Sequence, residues 1–170
     1  MGFLLVLGGA RSGKSSLADR LGRESAATVT FIATATAGDA EMAERIRQHR
    51  ESRPGEWSTV EAPIDLLAAV EATPADDFVI VDCLTLWVAN LLESGTGAAE
   101  IWQLAREVAS EIALRRGIVV TNEVGLGIVP ANALARAFRD TLGAVNSIFV
   151  ERAERSVLMV AGRVLELKPA

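Results

Sequence analysis

Gly8-Gly9-Ala10-Arg11-Ser12-Gly13-Lys14-Ser15 follows directly on the apolar run Phe3 to Leu7 and leads into a helical pattern carried by Ser16, Leu17, Ala18 and Leu21. Few local patterns constrain a chain so tightly. The apolar run is short and Leu-rich, as in a strand buried on both faces. The octet conforms to G-x-x-x-x-G-K-[ST], in which successive backbone N–H groups turn inward around phosphates. In that pattern Lys14 sets a point charge against the outer phosphates and Ser15 offers its hydroxyl to Mg²⁺. The positive end of the following helix adds to both. A strand, a phosphate cradle and a helix in this order predict nucleotide binding.

The rest of the chain repeats the same alternation. Val29 to Ala33, Phe78 to Val81 and Ile118 to Thr121 are further short apolar runs bounded by polar or turn-forming residues, and they read as parallel strands. Ile101, Leu104, Ala105, Val108 and Ile112 follow a 3.6-residue spacing, and Gly117 is expected to close that helix. Leu84 to Leu92 is apolar nearly all round and predicts a buried helix. Leu134, Phe138, Leu142, Val145 and Phe149 form one stripe, which predicts a long helix kinked near Gly143 rather than a strand over Val145 to Val150. Ser156 to Ala161 and Val164 to Leu167 flank Gly162-Arg163, a two-residue loop of hairpin type. Loops are expected at Thr73 to Asp77 and Ser94 to Gly97. With no repeat or linker, the expected fold is one α/β domain over residues 1–170. It is of P-loop NTPase type, with a mostly parallel sheet flanked by helices and a C-terminal antiparallel hairpin.

Composition narrows the function classes. The chain has 170 residues, half of them hydrophobic, which is too apolar for a disordered chain. Its 17 Lys and Arg against 22 Asp and Glu give a net charge of −5, a poor balance for general nucleic-acid binding. A single cysteine, Cys83, excludes an internal disulfide, and with a single histidine, His49, a zinc enzyme is not expected. The apolar start is broken after five residues by Gly8-Gly9, too short for a secretory or membrane-spanning segment. A cytoplasmic protein without a membrane span is the expectation.

Two further places carry candidate chemistry. Asp82 ends the run Phe78 to Val81, at the sheet edge where open α/β sheets bind ligands. It can hold Mg²⁺ beside the cradle or cap the helix that starts near Leu84. The second place is a helix over about Ala40 to Ser52, with Asp39 as its cap. There Glu41, Arg45 and His49 share one face, and Met42 and Ile46 mark an apolar side. Arg45, Arg47, Arg50 and Arg53 make a basic cluster around His49, able to receive phosphates. The imidazole is either an ordinary solvated side chain or a nucleophile toward phosphorus.

GGARSGKS, FIATA (Phe31 to Ala35), EMAERIRQHRESRP (Glu41 to Pro54), VDCLTLWVANLL (Val81 to Leu92) and TNEVGLGIVP (Thr121 to Pro130) occur together and in order. In this combination the chain resembles, over essentially its whole length, the bifunctional adenosylcobinamide kinase/adenosylcobinamide-phosphate guanylyltransferase family of cobalamin biosynthesis. The resemblance implies phosphorylation of the corrinoid by GTP or ATP, with Mg²⁺, followed by transfer of GMP from GTP. His49 falls on the family's guanylylated histidine. Nucleotide contacts fall on Gly8 to Ser15, on Ala33, Thr34 and Ala35, on Arg50, Glu51, Ser52 and Arg53, and on Glu61 and Asp82. The family often has two adjacent histidines where this chain has Gln48-His49. The family is oligomeric, and a homo-oligomer, with a trimer as the specific expectation, follows by resemblance. A small-molecule kinase without guanylyl transfer and a nucleotide-dependent switch protein are the alternatives.

The remaining candidates divide. Asn122-Glu123 stand at the ligand edge after Ile118 to Thr121, and Glu123 is the base for the accepting hydroxyl, a contact to the corrinoid, or a loop carboxylate. Glu61 can accept paired N–H donors from a guanine edge. Cys83 reads as a small core residue, and Trp57, Trp87 and Trp102 as packing anchors.

Overall fold

The computed structural model describes every residue except Met1, Ala26, Asp39, Ser52 and Ala170, and leaves aside the side chains of Glu41 and Arg45. The expected cap at Asp39 and contact at Ser52 therefore lie outside the described residues. In chain order the elements are β1 (Phe3–Gly8), α1 (Lys14–Glu24), β2 (Val29–Ala33), α2 (Ala40–Glu51), β3 (Ser58–Glu61), α3 (Leu66–Glu71) and β4 (Phe78–Asp82). They continue with α4 (Leu84–Glu93), α5 (Ala98–Ile112), β5 (Gly117–Val120), α6 (Ala133–Arg152), β6 (Arg155–Val160) and β7 (Arg163–Leu167). Among the described residues the strands form one seven-stranded sheet in the order β3-β2-β4-β5-β1-β6-β7. Only the β6–β7 pair is antiparallel.

Strand alternation sorts the core into two layers. Phe3, Leu5 and Leu7 of β1, with Val79 and Val81 of β4, face the layer built by α3, α4, α5 and α6 around Trp87, Leu142 and Phe149. Val6, Ile80, Ile118 and Val120 face the other way, onto Leu17 and Ala18 of α1. All four strands predicted from apolar runs are present, and their near-continuous burial explains their unbroken apolar pattern. Trp87 is buried with its indole N–H donating to the Ile64 carbonyl at 2.8 Å, as an anchor should be.

Three expectations need correction. Gly117 does not end α5, which stops at Ile112 with Ala113 as its cap. It opens β5, where a Cβ would lie 2.3 Å from the Val79 carbonyl oxygen, so close strand approach demands the glycine. The hairpin turn is Ala161-Gly162, one residue earlier than expected, because Val160 pairs with Arg163. Both turn residues have positive φ, 50° and 74°, as a turn matching the strand twist requires. Finally, β3 was not foreseen. It is an edge strand with all four residues exposed, so no apolar alternation marks it. The predicted long helix is α6, hydrogen-bonded as one helix through Gly143 and capped by Asn132, whose side chain accepts from the Leu134 and Ala135 N–H groups.

Candidate active site

The cradle forms at the carboxyl end of β1. Gly8 is fixed by crowding: a Cβ there would lie 2.6 Å from the Met159 carbonyl oxygen. Arg11 and Gly13 adopt left-handed backbone, φ 55° and 97°, which coils the loop before α1 begins at Lys14. No side chain caps the first turn of α1, so its N–H groups face the loop as anion donors. The turn of the β6–β7 hairpin braces this loop, with the Gly162 N–H donating to the Ser12 carbonyl at 3.0 Å.

Lys14 is buried, and its ammonium donates to the Gly9 carbonyl at 2.6 Å. Burial pushes its pKa below the ordinary lysine value, with the charge of Asp82 among the opposing influences. A phosphate arriving here would meet this ammonium beside the loop. Ser15 donates from Oγ to Oδ2 of Asp82 at 3.0 Å. A hydroxyl and a carboxylate side by side are oxygen donors suited to a hard cation such as Mg²⁺. Asp82 is placed by Thr34, which is fully buried on the adjoining segment. The Thr34 hydroxyl donates to the Cys83 carbonyl at 2.7 Å and accepts from the Cys83 N–H at 2.8 Å.

These groups line a cleft of about 510 Å³ at the carboxyl edge of the sheet. Its opposite wall is α2 and the segment after it, which contribute Met42, Ile46, His49, Arg50 and Arg53. Met42, Ile46, His49 and Arg50 recur on α2 at i, i+4, i+7 and i+8, so the apolar side and the imidazole belong to one face. This corrects the expectation that Met42 and Ile46 form a side apart from His49. The basic cluster also divides. Arg47 is tied to Glu44 and Glu51 on the exposed side of α2, whereas Arg50 and Arg53 enter the cleft. Arg50 pairs with Glu61 from the end of β3. The Arg53 guanidinium lies 3.5 Å from the centroid of the Phe31 ring, and burial pushes its pKa below the usual arginine value.

Arg11, Ser12, Gly13, Lys14, Ser15, Ala33, Ala35, Arg50, Arg53, Glu61, Asp82 and His49, all expected at the site, line this one cleft. Gly8, Gly9 and Ala10 form the back of the loop without lining it. Thr34 and Glu51 do not line it either. Thr34 is engaged by the Cys83 backbone, and Glu51 is exposed in its pair with Arg47. Glu123 turns its carboxylate back to the Gly125 N–H, while its neighbour Asn122 enters the cleft with Thr85.

Asp19 was missed by sequence reasoning. It lies one helical turn beyond Ser15 on α1, half-buried, and interacts electrostatically with Asp82, Arg53, His49 and Arg23. Burial first, and then the charge of Asp82, raise its pKa against the opposing cations. The i, i+4 spacing from Ser15 was the available signal.

Among the described residues no helix is long and apolar enough to cross a membrane. Among solved structures, the chain is similar to the ATPase EscN of the enteropathogenic Escherichia coli type III secretion system, with a TM-score of 0.60. That match is 9% identical and covers 94% of this chain and 43% of the other, so the likeness is one of fold. The chain is 44% identical to the bifunctional adenosylcobalamin biosynthesis protein CobP of Pseudomonas aeruginosa, over 96% of each chain. It is 40% identical to the bifunctional adenosylcobalamin biosynthesis protein CobU of Salmonella typhimurium, over 97% of this chain and 99% of the other. Residues 4–167 match the family model described as cobinamide kinase / cobinamide phosphate guanyltransferase. A phosphate loop, a loop-facing hydroxyl–carboxylate pair and near-full-length relatives converge, and the chain belongs to the cobinamide kinase / cobinamide phosphate guanyltransferase family of bifunctional enzymes.

Proposed function

We propose that the protein phosphorylates the aminopropanol hydroxyl of adenosylcobinamide with GTP or ATP, and then transfers GMP from GTP to that phosphate through a guanylylated His49. One observation carries this reading: His49 and Lys14 line the same cleft, from α2 on one side and the phosphate loop on the other.

In the first step the acceptor oxygen bonds to the γ-phosphorus as the bond to the bridging oxygen breaks and the nucleoside diphosphate leaves. Lys14 and the loop N–H groups stabilise charge on the transferred group, so catalysis is chiefly positioning and electrostatics. In the second step an imidazole nitrogen of His49 bonds to the α-phosphorus of GTP and pyrophosphate leaves. The cobinamide phosphate oxygen then takes the guanylyl group and the nitrogen–phosphorus bond breaks. Arg50 and Arg53, which line the cleft, would orient the α-phosphate. Ser15 and Asp82 are the residues that would hold Mg²⁺, which supplies charge neutralisation on the phosphates when bound. Glu61 is proposed to read guanine, with its pairing to Arg50 exchanged for the base edge. A cytoplasmic, homo-oligomeric and specifically trimeric enzyme accompanies this reading.

GTP labelled at the α-phosphate is incubated with the protein, which is then denatured and digested. Acid-labile, base-stable label on His49, absent from His49→Ala, is the expected result. No label under any metal condition overturns guanylyl transfer and leaves a kinase or a nucleotide switch, which phosphorylation of adenosylcobinamide then separates.

A further inference from the structure

The strand order places β5 between β1, which ends in the phosphate loop, and β4, which ends in Asp82. Val120 is level with Val6 on one side and with Asp82 on the other. Two residues further, Asn122 is level with the start of the loop, and the next N–H, that of Glu123, donates to the Gly8 carbonyl at 3.2 Å. Asn122 therefore stands at the sheet edge between the strand that leads to the phosphate loop and the strand that ends in Asp82, and it lines the same cleft as Lys14, Ser15 and Asp82.

Its backbone is held on both sides. The Asn122 N–H donates to Oγ1 of Thr85 at 2.7 Å, and its carbonyl accepts from Nδ2 of Asn146 at 3.0 Å. Asn146 is buried on α6 beside Val145 and Phe149, a costly place for an amide unless both ends are engaged. Both are: its Oδ1 accepts from the Thr121 hydroxyl at 2.7 Å. The network thus holds the end of β5 against α4 and α6, and no described residue hydrogen-bonds the side-chain amide of Asn122. That amide stands half-buried at the cleft, open to a ligand seated between the phosphate loop and Asp82.

We propose that the side-chain amide of Asn122 donates to an oxygen of the terminal phosphoryl group during phosphoryl transfer, with Asn146 as its positioning residue. The inference rests on the kinase half of the proposed function and is independent of the His49 relay. As the acceptor oxygen bonds to the γ-phosphorus, the electron pair of the breaking bond leaves on the β-phosphate oxygen. The acceptor's proton passes to water. The donor adds stabilisation to the equatorial oxygens, where charge is spread in the transition state.

The test measures kcat and nucleotide KM for adenosylcobinamide phosphorylation by the full chain, with thermal stability recorded for each variant. Asn122→Ala is expected to lower kcat on the order of a hundredfold with nucleotide KM within about threefold, the pattern of a contact made in the transition state. Asn122→Asp, which keeps the size and removes the donor, is expected to fall at least as far. Asn146→Ala is expected to lower kcat about tenfold, and Asn146→Gln, which keeps the amide, to recover part of the loss. An Asn122→Ala enzyme with kcat within threefold of wild type overturns this inference alone, as does a loss seen only in KM. A wild-type chain unable to phosphorylate adenosylcobinamide overturns the kinase reading and the inference together.

Discussion

Ser15 and Asp82, 67 positions apart in the chain, share a hydrogen bond of 3.0 Å between hydroxyl and carboxylate, and with it the place where a phosphate-bound cation would be held. Replacing the carboxylate by an amide keeps the hydrogen bond and removes the charge. Asp82→Asn is therefore expected to raise the Mg²⁺ concentration needed for half-maximal kinase rate by roughly ten- to a hundredfold. Superimposable Mg²⁺ titrations for the two proteins would show that the Asp82 carboxylate holds no cation.

Lys14 stands at the centre of both proposed half-reactions. Lys14→Ala is expected to lower phosphorylation and His49 labelling alike, each by about a hundredfold or more, because both need the triphosphate seated in the loop. Rates of label transfer from α- and γ-labelled GTP measure the two losses. Either activity intact in the variant would contradict the cradle.

Asp19 gives a pH-dependent expectation whose sign follows from its raised pKa. A carboxyl with a folded-state pKa above its unfolded value makes the native state bind more protons, so stability falls as pH rises through that window. The penalty is absent below the ordinary carboxylate value of about 3.9 and complete above the folded value. Asp19→Asn should thus melt at or above wild type at pH 7, with the gap closing as pH falls toward 4. A variant that melts below wild type at pH 7 would mean that the pairing with Arg53 and His49 outweighs burial.

The Cys83 thiol is buried, and that burial pushes its pKa up to about 12. At pH 8 only about one thiol in ten thousand is then thiolate, the reactive form. Iodoacetamide should leave the native protein unmodified at this pH and alkylate it fully in denaturant, as mass spectrometry would record. Rapid native labelling would show that the thiol is open to solvent.

Two glycines should respond oppositely to the same substitution. Gly117→Ala drives a methyl into the Val79 carbonyl and is expected to cost up to about 3 kcal/mol. Gly143 sits inside α6 with open space where a Cβ would go, so Gly143→Ala is expected to stabilise by roughly 0.5–1 kcal/mol. Urea unfolding measures both, and equal effects would place Gly117 outside the crowded strand pair.

The contrast between those glycines shows why one part of this protein was legible in its residues and another was not. The phosphate loop and the strands β1, β2, β4 and β5 are spelled by neighbours in sequence, since burial on both faces leaves an unbroken apolar run. Gly117 stands after a helix and before a strand, and only the distance to Val79 across the sheet tells which of them needs it. The edge strand β3 carries no burial pattern because its residues are exposed. In sequence Glu123 draws the attention as a carboxylate after a strand, and nothing marks Asn122 beside it. The hydrogen bonds from Thr85 and Asn146 hold Asn122 at the cleft, while Glu123 bonds within its own loop.

By itself the sequence determined the cradle, the buried parallel strands, the helical stripes and the presence of an imidazole among arginines, all of them features written in local spacing. The tertiary structure decided which of these meet: β5 inserted between β1 and β4, Asp82 beside Ser15, and the Met42–Ile46–His49 face of α2 turned to the phosphate loop. Periodicity records which face of an element is buried. Only packing among distant elements selects strand order and the direction in which each helix presents its polar groups.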